Sequence, residues 1–191
     1  IGEDPFNTER LWGKMQVAMM GHGMTGIVGS GAMTGIEIAL WDLKGKALGL
    51  PVWNLLGGKV RDRIRVYAHA GTSARARELV DRGYNALKLG GIRDCLRKVR
   101  EVREEVGDEV DLMVDVHGPP WMTTRDAIAL GNALEEYDLL FYEDPVAPEN
   151  IDALRRVADA VQLPIAAGER HAGGFGVMDL IEQEIIDVVQ P

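Results

Sequence analysis

Apolar and polar positions follow two different patterns from residue 61 onward. Apolar runs of four to seven residues alternate with longer segments in which apolar residues recur every three or four positions. Short apolar runs are typical of buried strands, and the three-to-four spacing is typical of helices. Strands are predicted over 64–68, 84–89, 110–116, 139–142, 164–167 and 185–189. Helices are predicted between them over 74–82, 92–106, 123–136, 149–161 and 176–183.

This alternation predicts a parallel α/β sheet that is buried on both faces. An eight-stranded β/α barrel takes about 250 residues, and only residues 61–191 show the pattern. A partial barrel and a doubly wound open sheet both remain compatible with it. The first residue is Ile1, and the sequence stops at Pro191 directly after the last predicted strand, so we expect a piece of a longer protein. We also expect mobile loops to be missing near Ser73 and at Gly90-Gly91.

The first 60 residues are predicted to be mostly helical, over 8–20 and 32–48, with Gly49 ending the second helix. They carry no clear chemistry. The run Gly21 to Gly26 spells the G-x-G-x-x-G pattern of dinucleotide sites. That pattern requires a preceding strand, whereas here it follows a helix, so a nucleotide-binding role is a distant alternative. His22 is expected to be an ordinary loop histidine.

Four strands end abruptly in a charged side chain, and these residues are the candidate chemistry. Lys88, Asp115, Glu143 and Glu169 are spaced by 27, 28 and 26 residues, about the length of one strand, loop and helix. Successive parallel strands would therefore bring these side chains to one end of the sheet, which is the active-site face of a β/α barrel. Three carboxylates there repel one another unless a cation lies between them, and Mg2+ prefers such oxygen ligands. The simpler alternative is that they cap the following helices.

Composition and charge exclude several classes of function. The net charge is −9 and the pI about 4.9, so there is no basic excess for nucleic acid or an anionic membrane. Cys95 is the single cysteine, which excludes an internal disulfide framework and fits a cytoplasmic protein. The chain has no G-x-S-x-G elbow, P-loop or apolar run of about 18 residues. A soluble protein of the cytoplasm is the expected class, and the charge does not argue against a small anionic substrate, which one local cation can hold.

Several stretches resemble the mandelate racemase and muconate lactonising enzyme group of the enolase superfamily. The stretches that carry the resemblance are 30–42 (SGAMTGIEIALWD), 55–58 (LLGG), 113–118 (MVDVHG), 142–145 (YEDP) and 167–170 (AGER). The resemblance implies an α/β fold, a (β/α)7β TIM-type barrel with an α+β capping domain. Residues 1–60 would be the helical part of the cap, and residues 61–191 a partial barrel of about six strands. The sheet of the cap and the last barrel strands would lie outside this sequence.

The family abstracts the proton α to a carboxylate and stabilises the resulting enediolate with Mg2+. By resemblance, Asp115, Glu143 and Glu169 hold this ion. His117 resembles the histidine of galactonate-type dehydratases that protonates the leaving 3-hydroxyl, and it faces the same way as Asp115. The alternative is a histidine that binds the substrate or supports a neighbouring site residue. Lys88 is a candidate contact to the substrate carboxylate or a group that polarises the site. The alternative is a lysine of the barrel interior that pairs with a neighbouring carboxylate. The general base is expected on strands beyond Pro191.

Two further residues are candidates for binding the substrate. Arg170 would bind a carboxylate or pair with a metal ligand, and His171 is a weaker candidate contact. His69 is expected to be structural, and Tyr142 to pack away from the site.

The resemblance therefore predicts a Mg2+-dependent dehydratase of aldonic acids that works as a homo-oligomer. A racemase or epimerase is the first alternative, although the second strand reads Lys88-Leu89-Gly90 and lacks the second lysine of racemases. A barrel that binds an acid sugar without turning it over is the other alternative. The sequence does not specify which acid sugar is bound.

Overall fold

The computed structural model describes residues 2–24 and 26–191, apart from the side chain of Phe175. The chain divides into two compact units. One comprises the residues up to Ile64 together with His171–Gly173, and the other comprises Arg65–Arg170 and Gly174–Pro191. The predicted domains, 1–60 as part of a cap and 61–191 as part of a barrel, stay predictions.

The first unit is helical, as its spacing predicts. Among its described residues it contains helices α1 (Thr8–Gly21), α2 (Ile27–Leu48) and α3 (Val52–Leu55). Helix α2 begins five residues earlier than predicted, at Ile27. It ends at Leu48 and is capped by Gly49, which has a left-handed backbone (φ 66°) and donates its N–H to the carbonyl of Lys46.

The second unit alternates strands and helices along its described length. Its elements in chain order are β1 (Ala68–His69), α4 (Ser73–Asp81), β2 (Ala86–Gly90), α5 (Cys95–Val106), β3 (Asp111–Asp115), α6 (Thr124–Leu134), β4 (Leu139–Glu143), α7 (Ile151–Ala158), β5 (Ile165–Ala167), α8 (Gly173–Glu182) and β6 (Val188–Val189). The strands form one sheet in the order β1 to β6, and every neighbouring pair is parallel. The predicted parallel α/β architecture is confirmed.

The outer strands are shorter than their apolar runs predict. Over the predicted strand 64–68, only Ala68 pairs with β2, and His69 extends the ladder by one residue. Ile64 and Val66 are 75% and 58% exposed. An apolar run becomes a strand only where a neighbouring backbone accepts its hydrogen bonds. For the same reason the predicted strand 185–189 is reduced to Val188–Val189.

Side chains of the sheet alternate between two buried faces. One face packs against the helices and contributes Leu87, Leu89, Leu112, Val114, Tyr142 and Ile165 to the main core. The opposite face carries a smaller apolar cluster of Ala86, Met113, Phe141 and Ala166. Because side chains alternate along a strand, this second face also receives Lys88, Asp115 and Glu143.

None of the helices formed by residues 2–24 and 26–191 has both the length and the apolar character needed to cross a membrane.

Candidate active site

The ends of β3 and β4 bring two carboxylates side by side. Asp115 pairs in register with Glu143, and Gly90 at the end of β2 pairs with Asp115. Tyr142 directly precedes Glu143 on β4, and its side chain points to the helices. There its hydroxyl donates to the carbonyl of Ala127 over 3.3 Å. The prediction that Tyr142 packs away from the site is confirmed.

Lys88 joins the two carboxylates. Its Nζ lies 2.9 Å from Oδ2 of Asp115 and 2.8 Å from Oε2 of Glu143. All three residues are buried, with exposed fractions of 6%, 4% and 1%. Burial disfavours each charged form, but for Lys88 the hydrogen bonds and charges of the two acids outweigh burial and raise its pKa. Lys88 is therefore held as an ammonium ion between the two acids.

Gln190, directly after β6, adds a further donor that the sequence analysis did not identify. With its amide oriented to satisfy its neighbours, the nitrogen donates to Oε1 of Glu143 over 2.5 Å and to Oε2 over 3.2 Å. Burial raises the pKa of Glu143, while the hydrogen bond from Lys88 acts in the opposite direction. The carboxylate of Glu143 is thus held from two sides.

His117 lies next to Asp115, as their two-residue spacing predicts. Its Nδ1 is 2.6 Å from Oδ1 of Asp115, and its side chain is 43% exposed. The bond to Asp115 raises the pKa of His117, which favours the imidazolium form. Burial opposes ionisation of Asp115, but its bonds with Lys88 and His117 outweigh burial and lower its pKa. Asp115 is therefore an ionised carboxylate between two cationic groups.

Glu169 and Arg170 follow the end of β5 and are both exposed. Nε of Arg170 lies 3.4 Å from Oε1 of Glu169. The guanidinium carbon of Arg170 is 5.3 Å from the ring centroid of Trp121, a cation–π distance. Trp121 is a candidate site residue that sequence reasoning missed, because no spacing rule links the β3–α6 loop to the residues after β5.

The other three histidines of the chain are His171, His69 and His22. His171 groups with the first unit, and its Nδ1 is buried without a hydrogen-bond partner. The structure therefore leaves its predicted substrate contact as a prediction. His69 ends β1, with its ring 6.2 Å from that of Tyr67. His22 follows helix α1, so the glycine pattern of residues 21–26 does follow a helix, and its Thr25 lies outside the described residues.

Negative charge is concentrated at this edge of the sheet. Oδ2 of Asp144 is buried without a hydrogen-bond partner. Burial raises the pKa of Asp144 to about 7, and the charges of Glu169, Glu143 and Asp115 add to this effect. Four carboxyl groups therefore lie near one another, and the cationic groups beside them are Lys88, His117 and Arg170.

The donor set fits a hard divalent cation, although its members are not assembled around one point. Over residues 2–24 and 26–191, no three His, Cys, Asp or Glu side chains converge closely enough to hold a metal ion. Each of the three acids is instead paired with a cationic side chain: Asp115 and Glu143 contact Lys88, and Glu169 contacts Arg170. Oxygen ligands from Asp115, Glu143 and Glu169, beside the unsatisfied Asp144, have the chemistry that Mg2+ takes. The predicted ligand set stays a proposal.

Comparison with known protein families identifies the fold. Residues 71–191 match the family described as "Enolase C-terminal domain-like". Residues 1–57 match "Mandelate racemase / muconate lactonizing enzyme, N-terminal domain". The chain is a member of the enolase superfamily. The resemblance stated from the sequence is confirmed, and the six parallel strands are part of the superfamily's TIM-type barrel, which sets aside the open doubly wound sheet.

Individual members of the enolase superfamily with known names are similar over the whole chain. The D-galactarolactone cycloisomerase of Agrobacterium fabrum is 35% identical, covering 100% of this chain and 53% of that protein. The D-galactonate dehydratase of Variovorax paradoxus is 35% identical, covering 100% of this chain and 54% of that protein. The crystal structure of the 3,6-anhydro-D-galactonate cycloisomerase from Zobellia galactanivorans is 30% identical with a TM-score of 0.92, covering 100% of this chain and 56% of that one. The chain spans about half the length of these relatives.

Proposed function

We propose that the full-length protein is a Mg2+-dependent dehydratase of sugar acids, of the aldonic class. The observation that carries the proposal is the buried pair Asp115 and Glu143 at the ends of adjacent strands, with His117 bonded to Asp115. Its relatives named as D-galactonate dehydratases support this substrate class. The proposal extends to Asp115, Glu143 and Glu169 as the residues that hold the metal.

Each of these site residues, together with Lys88 and Arg170, has a proposed role that follows from its chemistry. A divalent cation bound by the three acids supplies Lewis-acid stabilisation of the negative charge that develops on a substrate carboxylate. His117, kept protonated by Asp115, donates its Nε2 proton to the 3-hydroxyl as this group leaves. Lys88 and Arg170 supply positive charge for an anionic substrate. A base expected on strands beyond Pro191 would take the C2 proton, the C3 hydroxyl would leave as water with the proton from His117, and the resulting enol would tautomerise to a 2-keto-3-deoxy acid.

A cycloisomerase is the second candidate function, because the relative from Agrobacterium fabrum with that name is equally similar in sequence. A two-base racemase is less well supported. Racemase-like members carry a second lysine on this strand, and here the strand ends Lys88-Leu89-Gly90. An acid-binding barrel without turnover remains the alternative from another class.

Proton NMR in D2O tests the proposal. The full-length protein would be incubated with Mg2+ and a panel of aldonic acids, aldaric acids and their lactones. We expect the C2 proton signal of one acid to disappear while a deoxy methylene signal grows. Asp115→Asn should abolish the reaction, whereas Asp42→Asn, which changes an exposed acid paired with Lys46, should leave it unchanged. Conversion of a lactone without loss of water would indicate a cycloisomerase. Deuterium at C2 of an intact skeleton would indicate an epimerase, and no change with any compound would contradict all three enzymes.

A further inference from the structure

We propose that the ammonium group of Lys88 is a built-in occupant of the cation position between Asp115 and Glu143, and that a divalent cation binds there only by displacing it. Lys88 would then be a positioning residue that holds the two acids together and also competes with the metal. This inference rests on the proposed function, because it concerns two of the proposed metal ligands.

The geometry of the ion pairs supports this role. Nζ of Lys88 is within 2.9 Å of one oxygen of each acid, Oδ2 of Asp115 and Oε2 of Glu143. Two buried carboxylates on adjacent strands repel each other strongly, because charge interactions are poorly screened inside a protein. A single cation that touches both removes that repulsion. Lys88 therefore stabilises the arrangement that brings the two acids side by side.

The remaining oxygens of the two acids are also engaged. Oδ1 of Asp115 is bonded to His117, and Oε1 of Glu143 accepts from the amide of Gln190. A divalent cation binds carboxylate oxygens at about 2.1 Å and repels an ammonium group that shares the same oxygen. Every carboxylate oxygen of the pair already has a partner, and Lys88 is the cationic partner that touches both acids, whereas His117 touches Asp115 alone. Metal binding and the Lys88 pairs therefore exclude each other.

Glu169, at the exposed edge of the site, is also paired with a positively charged side chain. Its carboxylate pairs with Arg170 over 3.4 Å, which is a longer and more exposed pair than those of Lys88. Breaking this pair is expected to cost little, since exposed ion pairs contribute little free energy. Lys88 is consequently the larger barrier to metal binding, and it is the residue to change.

Lys88→Met tests the competition, because it removes the charge and keeps an unbranched side chain of similar length. Without metal, the variant should unfold at a lower temperature than the wild type, because two buried carboxylates lose their cation. Its affinity for Mn2+, measured by calorimetric titration of the full-length protein, should be higher by about tenfold, a typical size for coupling between two bound groups. The two effects have opposite signs, which a purely structural lysine would not produce.

Two control variants separate charge from other effects. Lys46→Met makes the same change at an exposed lysine paired with Asp42 and should alter neither property. Lys88→Arg keeps the positive charge and should not tighten Mn2+ binding. If Lys88→Met does not fold, the wild type provides the measurement by NMR of 15N-labelled lysine side chains. The ammonium signal of Lys88, protected by its buried pairs, should shift or be lost on titration with Mg2+.

The outcomes distinguish this inference from the proposed function. If wild-type protein binds Mn2+, Asp115→Asn weakens binding, and Lys88→Met leaves the affinity unchanged or lower, then the competition is wrong while the metal site stands. An unaltered Lys88 ammonium signal in the Mg2+-bound wild type would also show that the competition is wrong. If the wild type binds no Mn2+, or Asp115→Asn does not weaken binding, the metal site itself is wrong and the inference is overturned with it.

Discussion

Nδ1 of His117 lies 2.6 Å from Oδ1 of Asp115, so the carboxylate fixes which ring nitrogen of the histidine faces the protein. The other nitrogen, Nε2, is then the one that can meet a ligand. A carboxylate partner favours the imidazolium form, which is the form a general acid needs. One acid at the end of β3 thereby links the proposed metal ligands to the proposed proton donor.

His117→Gln should separate abstraction of the C2 proton from elimination of the 3-hydroxyl. Elimination of the hydroxyl should slow by about 100-fold or more, since a positioned general acid contributes a factor of this order. Exchange of the C2 proton for deuterium should continue, because the variant keeps Asp115, Glu143 and Glu169. Both rates can be read from one NMR time course in D2O. His22→Gln, at an exposed histidine after helix α1, is the matched control. Unimpaired elimination by His117→Gln would remove His117 from its proposed role.

Trp121→Leu should weaken binding of an acid substrate through Arg170. The indole ring lies 5.3 Å from the guanidinium carbon and restrains it. An exposed cation–π contact contributes about 0.5–1 kcal/mol, so the KM for the acid should rise by about two- to fivefold. The kcat should change less, because the contact that the variant loses is the one to Arg170, which is proposed to bind the substrate. Trp53→Leu changes a half-exposed tryptophan of the first unit and should leave KM unchanged. A fall in kcat without a change in KM would refute this assignment.

Gly131→Ala should destabilise the protein through a steric clash in the core. A Cβ at this position would lie 2.6 Å from Cγ1 of Val161 and 3.3 Å from Cε1 of Tyr142. Overpacking of this kind costs about 1–3 kcal/mol, so the unfolding temperature should fall by several degrees. Gly35→Ala in helix α2, where a Cβ meets nothing within 4 Å, should raise it slightly because alanine favours helix. Equal melting temperatures for the two variants would contradict the packing described here.

Cys95 should make the stability fall at high pH. Burial raises the pKa of its thiol from the ordinary 9.0 to about 11. The unfolded chain then releases the thiol proton at lower pH than the folded protein does. The contribution of the buried thiol to the free energy of unfolding is fully present below pH 9. It is lost as the pH rises toward 11, where the free energy of unfolding is lower by about 2 kcal/mol. Urea unfolding at pH 8 and pH 11 measures this difference. Cys95→Ala should show a smaller decrease by about that amount, and an identical decrease would exclude the thiol as its source.

Apolar runs that end in a charged residue correctly predicted that Asp115 and Glu143 lie side by side at one end of the sheet. The runs before Asp115 and Glu143 became β3 and β4, and their in-register ends placed the two acids side by side. The two-residue spacing of Asp115 and His117 predicted their shared face in the same way. These features depend only on strand periodicity and parallel pairing, which a sequence pattern carries.

Features that depend on several strands at once were not predictable. The sequence placed Lys88 near the acids but did not show that its Nζ bridges both of them. Gln190 and Trp121 lie outside any charged pattern, so nothing in the sequence linked them to Glu143 or Arg170. The first strand was predicted too long and too early, because the run 64–67 is apolar enough for a strand, while the parallel ladder with β2 begins only at Ala68.

The location of Mn2+ in crystals of the full-length protein tests the proposed site. An anomalous difference map identifies the ion without reference to activity. We expect a peak bonded to carboxylate oxygens of Asp115, Glu143 and Glu169, with Nζ of Lys88 moved away from Asp115 and Glu143. A protein saturated with Mn2+ in which the ion lies elsewhere, and in which Lys88 still bridges the two acids, would contradict the proposed metal site.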